Sequence, residues 1–228
     1  MKKLLQETLL PLYDLFFPKL CPGCKQKVLN TNKLLCWSCL LTLPETHFDP
    51  KDNLLFKKFP KTLPLHSLFA LFIFYPKGIV ENLLYTIKYE QHPELGSFLG
   101  QQLGHYIQAF FSDIKGVIPV PLHPKRERLR GYNQAEKIAE GMAEILGCKV
   151  YNALIRNKNT PQLAHTKKDR DEILIGAFSL SPTEKLPKGH YFLIDDILTT
   201  GATLKACAKV LLKEEKICLS MATLAYRV

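Results

Sequence analysis

The sequence predicts an α/β fold with a mostly parallel sheet, preceded by a small four-cysteine zinc-binding domain. First, short apolar runs alternate with segments of helical apolar spacing from residue 67 to residue 228. This alternation is typical of parallel strands joined by crossover helices. Second, four cysteines fall within 19 residues near the amino terminus. Third, 46% hydrophobic and 23% charged residues are ordinary values, which exclude a collagen, a coiled coil or wholesale disorder.

The individual elements follow from residue type and period. Strands are expected where apolar runs are short and bounded by proline or polar residues, at 68–75, 116–121, 149–155, 190–195 and 217–224. Helices are expected where apolar residues recur at helical spacing, at 79–89, 95–111, 133–146 and 202–214. Gly147 is placed to end the third of these helices. The polar stretch 156–170 is predicted to be a long loop, and loops of that length are usually functional or disordered.

Three regions are predicted along the chain. Residues 1–45 hold an amphipathic stretch and the cysteines, residues 46–66 form a connector with prolines and scattered charges, and residues 67–228 form the α/β domain. The longest unbroken apolar run has eight residues, from Leu68 to Tyr75, whereas a membrane-spanning helix needs about 20. No segment of the chain is therefore expected to span a membrane.

The first residues favour a helix rather than a secretion signal. Polar and proline residues interrupt the apolar stretch, and no small-residue cleavage site follows, so a cytoplasmic location is expected. Two interpretations of the helix stay open: it packs on its own domain, or it binds a partner or the inner face of the membrane. Its apolar face is formed by Leu4, Leu5, Leu9, Leu12, Leu15 and Phe16.

The cysteine cluster predicts a structural zinc site. Cys21 and Cys24 form one Cys-x2-Cys pair, and Cys36 and Cys39 form a second pair after 11 residues. Two tight turns that each present two thiolates can surround a tetrahedral Zn²⁺. Because all four positions are cysteine, a closed structural site is expected, and the metal must supply much of the folding energy of so short a segment. Gly23 suits the first tight turn.

The most informative stretch runs from Phe192 to Thr203. An apolar strand leads into Asp195 and Asp196, and a threonine-rich loop and a helix follow. Ligands of open α/β sheets bind at the carboxyl ends of strands, and a helix start offers free N–H groups to a phosphate. Carboxylates accept hydrogen bonds from sugar hydroxyls, so the stretch predicts a site for a ribose 5-phosphate. The loop residues expected at the phosphate are Thr199, Thr200, Gly201, Ala202 and Thr203.

This stretch resembles the phosphoribosyl pyrophosphate (PRPP) motif of the type I phosphoribosyltransferases, in which two acids precede Thr-Gly-x-Thr. The resemblance implies a sheet of that type, with Asp195 and Asp196 on the ribose 2′- and 3′-hydroxyls and residues 199–203 on the 5′-phosphate. A second motif is similar to the ComF family of competence proteins, in which a zinc ribbon precedes a phosphoribosyltransferase-like domain. It comprises Val120-Pro-Leu-His-Pro-Lys-Arg126 and Arg130-Gly-Tyr-Asn-Gln-Ala135.

The basic charge of the chain gathers near this predicted site. The net charge is +10, and between residues 121 and 170 eleven lysines and arginines face five acidic residues. A pyrophosphate needs cations, and arginine suits its oxygens best. Mg²⁺ is expected to accompany PRPP, because it prefers hard oxygen ligands. His123 is a candidate to orient the first basic stretch. The candidate pyrophosphate residues are Lys125, Arg126, Arg130, Arg156, Lys167, Lys168 and Arg170.

Three functions remain open from the sequence. The family resemblance implies a competence protein that handles incoming single-stranded DNA together with other DNA-uptake proteins, and Tyr132 or Trp37 are candidates to stack on bases. The second is a phosphoribosyltransferase acting on a nucleobase or another acceptor. The third is a regulator that senses PRPP without chemistry. Thr199 stands where purine-specific relatives have a carboxylate, which argues against a hypoxanthine-type enzyme, and no catalytic residue is identified.

Overall fold

The structure is a computed structural model that describes residues 19–26, 34–157, 174 and 176–228. The predicted helix at 4–16 and most of the predicted loop at 156–170 lie outside these residues. The helices are α1 (Trp37–Leu41), α2 (Ile79–Tyr89), α3 (Pro93–Gln108), α4 (Pro124–Arg130), α5 (Gln134–Leu146) and α6 (Ala202–Leu211), with a 3-10 helix at Leu54–Lys58. The strands are β1 (Leu68–Phe74), β2 (Gly116–Pro119), β3 (Lys149–Val150), β4 (Leu154–Arg156), β5 (Phe178–Leu180), β6 (Gly189–Leu198) and β7 (Ile217–Arg227).

A five-stranded sheet in the order β1-β7-β6-β2-β3 forms the centre of the described chain. Every neighbouring pair in this sheet is parallel. The central strand β6 pairs with β7 over its whole length and with β2 over the first half. The predicted α/β class with a mostly parallel sheet is therefore confirmed.

Both faces of the sheet are covered, which explains why its strands are apolar almost throughout. Successive side chains of a strand point to opposite faces. In β6, Phe192 and Ile194 pack into a core that includes residues of α2, α3 and α5. Tyr191 and Leu193 pack into a second core that includes residues of α6 and the 3-10 helix.

Three details differ from the predicted elements. The strand expected at 149–155 is divided into β3 and β4, and β4 pairs antiparallel with β5 outside the main sheet. The basic stretch after Pro121 is helical, because Pro124 occupies the first turn of α4, where proline is favoured, and His123 caps it. Strand β6 does not stop at the acid pair but continues through both carboxylates to Leu198.

The predicted connector packs on the sheet. Leu55 is fully buried and Phe59 nearly so, both in the core that also contains Leu68 of β1. Asn53 begins the 3-10 helix by accepting a hydrogen bond from the Leu55 N–H, and its amide donates to the Leu68 carbonyl. Phe59 also lies next to Gly201, at the start of α6.

Among the residues that the structure describes, none of the helices has the length and apolar character to cross a membrane.

Candidate functional site

The acid pair lies on β6, with its two carboxylates on opposite faces of the strand. Adjacent residues of a strand alternate in direction, so Asp195 follows the face of Leu193 and Asp196 follows the face of Ile194. Asp196 is only 4% exposed, and Asp195 is partly buried. The two acids are held together by the Asp196 N–H, which donates to Asp195 Oδ1 at 2.9 Å. Each carboxylate therefore meets a different set of neighbours.

Asp196 forms an ion pair with Lys88 of α2. The distance from Lys88 Nζ to Asp196 Oδ2 is 2.8 Å, and the side chains are 21% and 6% exposed. Burial alone would lower the pKa of Lys88, but the charges of Asp196 and Asp195 outweigh it and raise the pKa. The lysine is therefore a charged group next to the acid pair. Sequence reasoning missed it, because nothing in the pattern of α2 marks one lysine as aimed at a strand 108 residues away.

Asp195 faces a different environment. Burial, and then the charge of Asp196, raise the pKa of Asp195 to about 7, although the charges of Lys88 and Arg156 oppose this shift. Arg156 lies at the end of β4, with its guanidinium 5.4 Å from the centre of the Phe178 ring. Burial thus favours the protonated form of Asp195 more than in an ordinary exposed carboxyl group.

The loop predicted to bind a phosphate, residues 199–203, leads from β6 into α6 and is called the phosphate loop below. Gly201 begins α6 with φ of +76°, a left-handed conformation that favours glycine. A Cβ on Gly201 would lie 3.1 Å from the Phe59 ring, so the connector packs closely against the loop. Lys58 adds a second contact, since its Nζ donates to the Thr199 carbonyl at 2.7 Å. The first turn of α6 then presents N–H groups that have no partner within the helix.

The residues between β2 and α5 fix the position of the basic helix α4. His123 Nδ1 accepts a hydrogen bond from the Lys125 N–H, and Gly131 ends the helix in the left-handed conformation. Asn133 caps α5, and its amide donates to the Val120 carbonyl at 3.0 Å. The Tyr132 hydroxyl donates to the Ile87 carbonyl of α2. Much of this motif therefore holds helices in place.

Helix α4 brings basic groups toward the acid pair. Desolvation, and then the charges of Arg156, Lys125 and Arg126, lower the pKa of His123. A cavity of about 280 Å³ lies between α2 and α4, lined by Lys88, Tyr89, Gln91, Arg126, Leu129 and Arg130. The predicted residues Arg126 and Arg130 thus share a cavity with Lys88, the partner of Asp196.

An aromatic surface borders this cavity. Tyr85 and Tyr89 lie one turn apart on α2, are 54% and 56% exposed, and have ring centres 5.0 Å apart. The Arg130 guanidinium lies 5.3 Å from the centre of the Tyr89 ring. Tyr132, proposed from the sequence as a stacking residue, instead packs partly buried against the core. The sequence signal for the exposed pair was present, because two tyrosines four residues apart share one helix face.

The four cysteines converge as their spacing predicted. Their sulfur atoms all lie within 4.8 Å of one another, so the cluster can hold a metal ion, and Cys24 Sγ and Cys36 Sγ are 3.8 Å apart. With metal–sulfur bonds of about 2.3 Å, a tetrahedral site has sulfur atoms roughly 3.8 Å apart. Burial alone would raise the pKa of Cys21, but N–H groups of Cys36, Cys24 and Gly23 lower it to about 7. These N–H groups favour a thiolate.

The cysteine cluster docks on α2. The Asn82 amide donates to the Gly23 carbonyl at 2.7 Å, and Lys25 Nζ contacts Glu90 at 3.0 Å. A Cβ on Gly23 would lie 2.9 Å from Cys39 Sγ, so glycine is needed for this close approach. Helix α2 therefore contacts the cysteine cluster and also carries Lys88 to the acid pair.

The structure gathers most of the predicted site residues at one edge of the sheet. The acid pair and residues 199–203 adjoin directly, Arg156 approaches Asp195, and α4 presents Lys125, Arg126 and Arg130 nearby. The remaining pyrophosphate candidates, Lys167, Lys168 and Arg170, lie outside the described residues. The structure adds Lys88, Lys58 and Phe59 to the surroundings of the acid pair and the phosphate loop.

A scan of the chain against known protein families gave no match. Individual proteins are nevertheless similar to it. Over 102 residues it is 36% identical to competence protein F of Haemophilus influenzae, covering 43% of the chain and 44% of that protein. Over 101 residues it is 37% identical to competence protein ComFC of Bacillus subtilis, covering 44% of the chain and 39% of that protein.

A longer alignment of 203 residues, at 25% identity, matches DNA utilization protein YhgH of Escherichia coli and covers 85% of the chain and 84% of that protein. The chain thus spans less than half of the two competence proteins and most of the third relative. Together these relatives confirm the family resemblance that the motifs indicated.

Proposed function

We propose that this ComF-family chain is a DNA-utilization protein of competence that binds PRPP with Mg²⁺ and handles single-stranded DNA. The observation that carries the PRPP part is the acid pair on β6 followed at once by the Gly201-led start of α6. Carboxylates for ribose hydroxyls and N–H groups for a phosphate then lie a few residues apart. The names of the relatives support the role in DNA use.

The surrounding charges fit a pyrophosphorylated ligand. Two cations act on the acid pair, because Lys88 of α2 pairs with Asp196 and the charge of Arg156 of β4 acts on Asp195. Arg126 of α4 shares a cavity with Lys88. Mg²⁺ would enter with PRPP, coordinated by ligand oxygens and water as a hard cation prefers. Lys88 is then expected to release Asp196 to the ribose and to turn toward the ligand phosphates.

The cysteine cluster is proposed to hold Zn²⁺ in a structural role. Four thiolate ligands leave no open coordination position, and the sulfur separation fits a tetrahedral ion. Because the cluster docks on α2, the ion would also stabilise the helix that carries Lys88.

Calorimetry tests PRPP binding. PRPP with Mg²⁺ should release heat on binding to the wild-type chain, and the double variant Asp195→Asn/Asp196→Asn should lose the signal. Asp52→Asn, an exposed acid of the connector, serves as the matched control and should bind like wild type. Equal binding by wild type and the double variant would overturn the assignment.

For DNA, we propose that bases stack on Tyr85 and Tyr89 while phosphates meet the basic residues of α4. Both rings are more than half exposed, and Arg130 already stacks on one of them. Base–aromatic stacking contributes about 1–3 kcal/mol per base, and cationic grooves track the backbone. The pair lies next to the proposed PRPP site, so both ligands would share α2.

Fluorescence anisotropy with an oligothymidine strand tests this surface. Tyr85→Ala/Tyr89→Ala is expected to weaken binding by about tenfold or more, in line with the loss of one to two stacking contacts. Tyr75→Ala, which removes another exposed tyrosine outside this surface, should bind like wild type. Binding should also fall steeply with salt, because lysine and arginine contacts release counterions. Unchanged affinity in the double tyrosine variant would contradict the proposal.

Ribosyl transfer is a second candidate function, favoured by the cavity between α2 and α4. Its position beside Lys88 leaves room for an acceptor next to a bound PRPP. Incubation with PRPP, Mg²⁺ and a panel of nucleobases should then release pyrophosphate above the rate without a base. If no base stimulates release while PRPP binds, the chain is a PRPP sensor, and the double aspartate variant should still lose DNA uptake.

A further inference from the structure

We propose a second transition-metal site, formed by His66, His190 and Cys218 at the amino-terminal edge of the sheet. One ligand atom of each of the three side chains lies within 4.8 Å of the others. His190 and Cys218 are the second residues of β6 and β7, and His66 lies two residues before the start of β1. The site is therefore at the end of the sheet opposite the phosphate loop and shares no residue with the cysteine cluster.

The backbone places the three ligands before any metal arrives. His190 and Cys218 are register partners in the β6–β7 pair, so their side chains leave the same face side by side. The His66 N–H donates to the Leu219 carbonyl at 2.8 Å, which fixes the segment before β1 against β7. In a tetrahedral zinc site with nitrogen and sulfur ligands, the ligand atoms lie roughly 3.3–3.8 Å apart. Side-chain rotations alone are needed to bring the three ligand atoms, now within 4.8 Å of one another, to that separation.

The surroundings resemble those of a metal site. A ring nitrogen of His190 lies 2.6 Å from Ser220 Oγ, and a histidine that ligates through one nitrogen is usually oriented by a hydrogen bond at the other. Phe111 and Phe192 contact the His190 ring and exclude water from one side. His66 and Cys218 are exposed on the other side, which leaves a path for the ion and a fourth position for water.

The donor set selects the class of metal. Two imidazoles and one thiolate suit borderline ions such as Zn²⁺ or Co²⁺, whereas Mg²⁺ and Ca²⁺ prefer oxygen ligands. The proposed PRPP and Mg²⁺ site and this site would therefore not compete for ions. A bound ion would tie the start of β6 and β7 to the segment that precedes β1.

Cobalt titration tests the site, with the chain carrying one equivalent of zinc to fill the four-cysteine site. Wild type should take up one additional equivalent of Co²⁺ and develop a thiolate-to-cobalt absorption band. Cys218→Ser should lose that band, and His66→Gln should weaken the extra binding at least tenfold. Cys148→Ser removes another isolated cysteine and should take up cobalt like wild type.

Two results would overturn the proposal. One is wild-type protein that takes up no cobalt beyond the amount exchanged into the four-cysteine site, as measured by released zinc. The other is Cys218→Ser protein with an undiminished extra equivalent. Thermal unfolding without added metal separates ligand loss from misfolding, because Cys218→Ser should then unfold at the wild-type temperature and should lack the increase in midpoint that added Zn²⁺ gives wild type.

Discussion

The cysteine cluster and the acid pair illustrate two ways of building a site. The cluster draws all four ligands from a 19-residue stretch, and its sulfur atoms meet within 4.8 Å. The acid pair is local too, but the surroundings of the pair and of the loop that follows it come from three distant segments: Lys88 from α2, Lys58 from the connector and Arg156 from β4. We propose that a metal ion organises the first site, whereas the folded sheet organises the second. The following predictions separate these two sources of order.

Metal removal should have the largest effect, and it should be local. Structural Zn²⁺ in small peptides contributes apparent binding energies of about 10–16 kcal/mol, which such a segment cannot replace by burial. A chelator should therefore abolish amide-exchange protection at residues 34–42. It should also weaken protection in the first turns of α2, which are bonded to the Gly23 carbonyl. Hydrogen-exchange mass spectrometry measures both regions, with α6 as the internal control.

The contrary outcome for this prediction is a metal-free chain with unchanged protection at residues 34–42. That result would show that the local sequence folds without an ion.

Breaking the buried ion pair should destabilise the chain less than metal removal does, but more than breaking a surface ion pair does. Lys88→Met leaves Asp196 charged and 6% exposed, and removing one partner of a buried pair costs about 3 kcal/mol. Lys137→Met is the matched control: Lys137 pairs with Glu140 on the surface at 2.8 Å, a contact expected to contribute less than about 0.5 kcal/mol. Urea denaturation measures both changes in the free energy of unfolding.

Adding Asp196→Asn to Lys88→Met should recover part of the loss, because it removes the stranded charge. If Lys88→Met and Lys137→Met lower the free energy of unfolding equally, the buried Lys88–Asp196 pair stabilises the chain no more than a surface pair does.

Alanine variants of two glycines with positive φ distinguish the cost of backbone strain from the cost of close packing at the phosphate loop. Gly131 has φ of +83° with open space around it, so Gly131→Ala should cost about 1 kcal/mol from backbone strain alone. Gly201 has φ of +76° and a Phe59 carbon 3.1 Å from the added Cβ, so Gly201→Ala should cost more, about 2 kcal/mol. Thermal unfolding of both variants measures the difference.

Gly201→Ala should also weaken PRPP binding, whereas Gly131→Ala should affect it less. Equal costs in stability would mean that the connector does not constrain the loop.

The smallest expected effect is a gain in stability that depends on pH. The pKa of Asp195 is raised to about 7 when folded, against about 4 in an unfolded chain. The folded state therefore binds this proton more tightly, and ionising Asp195 opposes folding as the pH rises from 4 through 7. Asp195→Asn should remove that cost, which we place at about 1 kcal/mol once solvent screening of a partly buried group is allowed for.

Urea denaturation at pH 5 and pH 8 measures this effect. The advantage of Asp195→Asn over wild type should be larger at pH 8, and a difference independent of pH would contradict the raised pKa.

The same contrast explains how much of the fold and of the site could be predicted from the sequence. The alternation of apolar runs with helical segments predicted all five strands of the main sheet, although not their exact ends, because buried parallel strands are apolar on both faces. The cysteine ligands and the acid pair were found because each signal is carried by a few neighbouring residues. Lys88 was missed because its role depends on how α2 lies across β6, which no local pattern records.

Three further features were not predicted from the sequence. Helix α4 was not among the helices predicted from the sequence, although Pro124 in the first helical turn and Gly131 at the end are favourable helix boundaries. The extent of β6 beyond the acids follows from its pairing with β7, where Ile197 and Leu198 face Ala225 and Tyr226. The cluster of His66, His190 and Cys218 joins residues up to 152 positions apart in the chain.

A crystal structure of the chain with PRPP and Mg²⁺ tests the central claim most directly. The expected result has the 5′-phosphate within hydrogen-bond distance of N–H groups in residues 201–203. The ribose hydroxyls should contact Asp195 and Asp196, and Lys88 Nζ should have moved away from its 2.8 Å contact with Asp196. A PRPP molecule bound elsewhere, or a Lys88–Asp196 pair unchanged beneath a bound ligand, would contradict the account.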